Sequence, residues 1–115
     1  MATIKSYTSL EQSRKLAEIL PLESADMSWV SNGLGKPFAR TIPIKGDPEE
    51  LCACWSLAAL LEYMNRNFYN ISLSYCGSEY TISFDDNEIY KTITKDYSID
   101  AAFEMIVWLK ETNRI

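Results

Sequence analysis

The chain has 115 residues, the size of one ordinary domain, and its 47% apolar and 23% charged residues can bury a core without a metal or a disulfide framework. It contains no histidine, which removes the commonest general base, metal ligand and pH switch, and its three cysteines, an odd number, point to free thiols in a reducing compartment. Eleven Lys and Arg against sixteen Asp and Glu give a net charge of −5, which disfavours a phosphate backbone as partner.

Residues 1–7 show no charged region followed by an apolar core and a small-residue cleavage site, so no secretion signal is expected. Thr8 to Glu11 reads as a capping box, so a helix is predicted to start there. Leu10, Leu16, Ala17, Ile19 and Leu20 form its inward stripe, Gln12, Arg14, Lys15 and Glu18 face water, and Pro21 ends it. Residues 22–47 give weaker signals. Residues 27–31 read as a short strand around Trp29 and Val30, Asn32-Gly33-Leu34-Gly35 as a turn, and residues 38–44 as a return strand that Pro37 and Pro43 confine to an edge. An irregular loop fits this segment as well. Trp29, Phe38 and Arg40, near flexible glycines, form a candidate binding loop; the plainer reading is that their apolar bodies anchor the loop on the core.

Residues 51–64 are rich in Ala and Leu, which favour helix. Asp47 suits the N-cap, Pro48 the first helical position, and Glu49 and Glu50 the positive end of the helix dipole. Wound at about 100° per residue, Leu51, Cys54, Trp55, Ala58 and Leu61 share one face, with Leu57, Leu60 and Met64 spread opposite. A helix apolar nearly all round is buried on more than one side, so this one is predicted at the centre of the domain. Its longest mostly apolar run, residues 51–61, falls well short of the ~20 residues that span a bilayer, and no membrane segment is expected.

A β region follows. Ile71, Leu73 and Tyr75 alternate with Ser72 and Ser74; after a turn at 76–79, Tyr80, Ile82 and Phe84 alternate with Thr81 and Ser83; after a turn at 85–88, residues 89–94 make a third strand. Such alternation predicts an antiparallel meander covered on one face. Ser98 or Asp100 starts a last helix running from Ile99 to about Thr112, with Ile99, Ala102, Phe103, Ile106 and Leu109 inward. Ala101, Met105 and Trp108 form a second apolar stripe on that helix. Either the N-terminal segment covers it, or it is an interaction surface for another copy or a partner protein.

No metal or cofactor site is expected. Asp85, Asp86 and Glu88 lack the spacing of a calcium loop and suit a turn instead. Cys52, Cys54 and Cys76 are too few for structural zinc without histidine. Cys54-Trp55-Ser56 resembles the nucleophile segment of papain-like cysteine proteases, and a helix N-terminus lowers a thiol pKa. That chemistry needs a histidine base, which the chain lacks, so Cys54 is expected to be a core thiol. The order helix, three strands, helix over residues 48–112 resembles the double-stranded-RNA-binding domain. The phosphate-gripping lysines of that family are replaced here by Tyr97-Ser98-Ile99-Asp100-Ala101-Ala102, leaving Lys91 and Lys95 as the nearby cations. RNA binding is therefore not expected.

A wider likeness runs through residues 6–13 (Ser-Tyr-Thr-Ser-Leu-Glu-Gln-Ser), 15–27, 54–61 (Cys-Trp-Ser-Leu-Ala-Ala-Leu-Leu) and 87–92 (Asn-Glu-Ile-Tyr-Lys-Thr). With these phrases the chain resembles small uncharacterised proteins of gut Bacteroides-type bacteria and their phages or mobile elements. The resemblance implies a bacterial cytoplasm and assigns no residue a role. The expectation is a single α+β domain over residues 1–115: a buried central helix and flanking helices on a three-stranded antiparallel meander, with an irregular segment or extra hairpin near the N-terminus. The expected function is a non-enzymatic protein-interaction module. The alternatives are an acidic nucleic-acid mimic, a small-ligand binder and, last, a thiol enzyme.

Overall fold

A computed structural model describes residues 6–31, 37–40, 50–68 and 70–115. The expected turn at 32–35, the expected helix cap at Asp47 and Pro48, and residues 41–44 of the return strand lie outside the described residues. The helices are α1 (Leu10–Ala17), α2 (Leu57–Asn67) and α3 (Ser98–Glu111), with a short 3-10 turn at Leu22–Ser24. The strands are β1 (Met27–Val30), β2 (Phe38–Arg40), β3 (Glu50–Cys54), β4 (Ile71–Cys76), β5 (Glu79–Asp85) and β6 (Tyr90–Lys95). They form two antiparallel sheets, ordered β2-β1-β3 and β4-β5-β6, so the architecture is α+β.

The expected meander is the second sheet. β4 meets β5 through a tight turn in which Gly77 takes φ +67°, a conformation that costs glycine little. On the covered face Leu73, Ile82 and Ile93 lie in one row, and α3 packs over β5 and β6. The third strand begins one residue later than expected, at Tyr90, and Ile89 is left exposed outside it. Its facing is now fixed: Lys91 and Ile93 share the covered side, opposite Phe84 and Ile82.

α3 is the hub. Ile99, Ala101, Ala102, Met105, Ile106 and Leu109 are all buried, because the helix meets β5 and β6 on one side and α2 and α1 on others. The helix that is apolar nearly all round and enclosed is thus α3 rather than the 51–64 stretch. α3 ends in a Schellman motif: Asn113 is left-handed at φ 60°, its N–H bonds the Lys110 carbonyl, and the Arg114 N–H bonds the Leu109 carbonyl at 2.8 Å.

The expected central helix is corrected at its start. Residues 50–54 are strand β3, paired antiparallel with β1 so that Met27 meets Cys54 and Trp29 meets Cys52. The helix begins only at Leu57, capped by Ser56, whose hydroxyl accepts the Ala59 N–H at 3.1 Å. The apolar run is split by this cap: its first part serves a sheet, and Leu60 and Met64 of α2 enter the core.

α1 is also shifted by one residue from expectation. Its capping box uses Ser9 and Gln12 rather than Thr8 and Glu11. Thr8 is buried, and its N–H bonds the Trp55 carbonyl at 2.9 Å, placing residues 6–8 alongside the chain at 55–57. Gln12, expected to face water, is partly buried and donates from Nε2 to Asp100 at 2.8 Å, tying α1 to the start of α3.

Just beyond α3, Arg114 closes the chain onto the β5–β6 turn. Its guanidinium stands over the Trp108 and Phe84 rings and donates to Asp86 Oδ2 from Nη2 at 3.1 Å and Nε at 3.3 Å. The Ile89 and Glu88 amides donate to Asp86 Oδ1 at 2.8 and 3.0 Å. The Ile89 amide above all, with Glu88 and Arg114, holds the Asp86 carboxyl below the usual aspartate range against an opposing desolvation. A carboxyl with a depressed folded-state pKa stabilises the fold above its unfolded value, and that contribution is lost as pH falls through the folded one. Asp86→Asn should therefore lower the urea midpoint at neutral pH, and its difference from wild type should shrink to nothing on acidification. A difference that stays constant with pH would show that this carboxylate does not act through its charge.

Candidate functional site

Ala101 and Met105, expected as part of an open interaction stripe, are both 0% exposed inside the core. Trp108 is half-buried, edge-on to Phe84 at 5.8 Å with Lys91 and Arg114 against its ring. Chain-internal packing thus occupies Ala101 and Met105 and leaves Trp108 partly exposed.

The Trp29, Phe38 and Arg40 set is not brought to one place either. Trp29 pairs with Ala39, and Phe38 and Arg40 pair with Val30 and Ser28. Side chains alternate across a strand, so Trp29 stands on one face of the sheet and Phe38 and Arg40 on the other. Trp29 is an anchor: its Nε1 donates to the Thr8 carbonyl at 3.1 Å and its ring meets Tyr7 edge-on at 6.0 Å.

Cys54 sits at the end of β3, not in a helix, and is fully buried. Its Sγ lies 3.7 Å from Thr8 Oγ1 and donates to the Thr8 carbonyl at 3.5 Å. Thr8 Oγ1 is bonded in turn to Ser13 Oγ at 2.7 Å and accepts the Trp55 N–H at 3.2 Å. Burial pushes the Cys54 thiol up, and the bonds to Thr8 and Ser13 only partly oppose this. Asp26, whose charge also raises the thiol, accepts both the Ser56 N–H (2.9 Å) and the Ser56 hydroxyl (2.5 Å). The cluster holds a neutral thiol and gives it no activating base. Among the described residues no three His, Cys, Asp or Glu side chains gather as a metal site would require.

The open parts of the molecule lie on the second sheet. Away from α3, its face carries two rows of hydroxyls: Ser72, Ser83 and Thr92, and Ser74, Thr81 and Thr94, with Thr81 and Thr94 bonded to each other at 2.8 Å. By the same alternation Glu79 and Asp85 stand on this face at the two ends of β5, with the hydroxyls between them. At one end of the covered face, the Tyr75 and Tyr80 rings meet at a tilt of 41° with centroids 4.7 Å apart, and Tyr75 is 61% exposed. β4 and β6 are the sheet's edges, and among the described residues no strand pairs with the outer side of either. β6 carries Lys91 and Lys95, a common guard against edge-to-edge pairing. β4 reads Ile-Ser-Leu-Ser-Tyr-Cys, with no charge and no proline.

Sequence reading missed this edge because alternation marks a strand without telling whether it is central or peripheral. The one signal available was the absence of charge from residues 71–76. The helix–three-strand–helix order expected over residues 48–112 is present from α2 to α3, but the first turn of α3 presents Asp100 and no lysine. Among the described residues no helix is long and apolar enough to cross a membrane. Comparison of the chain with protein-family models, with curated proteins and with solved structures finds no match.

Proposed function

We propose that the chain is a non-enzymatic protein-interaction module that binds by adding a strand to the outer side of β4, in the bacterial, phage or mobile-element setting its sequence likeness implies. One observation carries the reading: β4 is a six-residue edge with neither charge nor proline that carries the largely exposed Tyr75. Such an edge presents a row of backbone N–H and C=O groups, and strand addition uses them for affinity while alternate side chains supply selectivity. The buried Cys54, with no activating base beside it, removes support from the thiol-enzyme alternative.

The test is affinity capture of the tagged full chain from host lysate, with and without nuclease, beside a Ser74→Lys variant. Ser74 is exposed, so the lysine leaves the fold intact while placing a charge at the edge. A stoichiometric protein that survives nuclease and is depleted from the variant is expected. A catch equal from both baits would move the surface elsewhere, and a catch lost on nuclease treatment would point to nucleic acid.

A further inference from the structure

We infer that the strand received by β4 is β4 of a second copy, paired antiparallel about Leu73; the inference rests on the strand-addition reading above. β4 has the same pattern in both directions from Leu73: Ile71, Ser72, Leu73, Ser74, Tyr75. In an antiparallel pair, directly opposed residues face the same side of the sheet. A two-fold axis at Leu73 therefore sets Leu73 against Leu73, Ser72 against Ser74 and Ile71 against Tyr75. Apolar meets apolar on the covered face, and hydroxyl meets hydroxyl on the open face. The two three-stranded sheets become one of six strands, with the hydroxyl rows continuous across the seam. The exposed Tyr75 ring gains the partly buried Ile71 of the second copy as a neighbour.

The opposite edge shows why β4 is the seam. β6 is symmetric about Ile93 in the same way, reading Lys91, Thr92, Ile93, Thr94, Lys95. Pairing it with itself would set Lys91 against Lys95 twice, and like charges directly opposed destabilise a sheet. β4 has no such obstacle despite the net charge of −5 on each chain. α3 packs chiefly over β5 and β6, toward the far edge of the sheet from the seam. A single shared strand pair is small beside the ~1,200–2,000 Å² of a standard interface, so the dimer is a weak, reversible one.

The test uses the full chain and two double variants, S72K/S74K and S72E/S74E. Both serines are exposed on the open face, and unchanged circular dichroism and melting temperature confirm that each variant folds. Sedimentation equilibrium over a concentration series should show wild type in a monomer–dimer equilibrium and each variant weakened about tenfold or more, because the added charges oppose their own kind across the axis. Mixing the two variants should restore the dimer as a heterodimer visible by native mass spectrometry, since each lysine then opposes a glutamate. A wild type monomeric at every concentration overturns self-pairing; capture of a different protein lost from S72K/S74K would then leave strand addition standing, and no β4-dependent capture would remove both. A dimer indifferent to the charges, or a mixture that does not heterodimerise, overturns the seam.

Discussion

Trp55→Ala is expected to cost about 3–5 kcal/mol and leave much of the chain unfolded at ambient temperature, since a small domain has only ~5–15 kcal/mol in total. Trp55 is fully buried in the main core cluster. Its truncation removes a large apolar surface and opens a cavity that the surrounding residues, drawn from helices and a sheet, cannot all move to fill. The indole also joins separate segments. Its Nε1 donates to Ser24 Oγ at 2.9 Å, while its backbone bonds both the amide and the hydroxyl of Thr8. Trp55→Phe keeps most of the apolar contact and gives up only the Ser24 bond; Ser24 Oγ still donates to the Pro21 carbonyl at 2.6 Å, so no hydroxyl is stranded. Urea denaturation followed by far-ultraviolet circular dichroism should therefore rank wild type, Phe and Ala in that order, with the larger gap before Ala. An alanine variant within about 1 kcal/mol of wild type would mean that the site collapses with far less strain than its burial implies.

Thr8→Val should lower stability by about 2–3 kcal/mol although it removes no volume. The Thr8 hydroxyl is the common partner of the Trp55 N–H and the Ser13 hydroxyl, with the Cys54 thiol beside it, and both Thr8 and Ser13 are fully buried. A valine methyl accepts no hydrogen bond, so two buried polar groups lose a partner in a place water does not reach. Thr8→Ser retains the hydroxyl and should lose much less. Thiol labelling gives a second readout. Cys54 in wild type should react only on denaturation, whereas Cys76, exposed beside the β4–β5 turn, reacts in the native state. In Thr8→Val the Cys54 labelling rate should rise in proportion to local opening. Valine equal to wild type in both readouts would mean that the hydroxyl cluster is replaceable by apolar packing.

The parts legible in the sequence are those whose signal is local. The Ser/Thr alternation at 71–75 and 80–84 marked its strands within a residue, and the stripe from Ile99 to Leu109 marked α3. The stretch at 50–54 was not legible. Leu51-Cys52-Ala53-Cys54 continues smoothly into a helical pattern, and its strand state is imposed by pairing with β1, more than twenty residues away in sequence. Ser56 was the true helix start, but it looked like a lone polar residue inside an apolar run. Ala101 and Met105 stand out in sequence as a second apolar stripe; they are buried because α3 is enclosed by α1, α2 and the sheet, whose docking no local pattern encodes. The candidate surface was legible only as a strand, because peripheral position is a property of the whole sheet.

The bond from Gln12 to Asp100 spans 88 residues of sequence, whereas the β4–β5–β6 turns close within a few. The hairpins can form in microseconds, but α1 rests chiefly on β3 and also meets α3, so completing its docking closes a long segment against loop-closure entropy. During synthesis at about 5–20 residues per second, that leaves an amphipathic α1 without its α3 contacts for on the order of ten seconds. The seal between the first and last described helices is therefore completed only when α3 arrives, and until then the nascent chain displays to chaperones and proteases a part of its hydrophobic stripe that the finished molecule conceals.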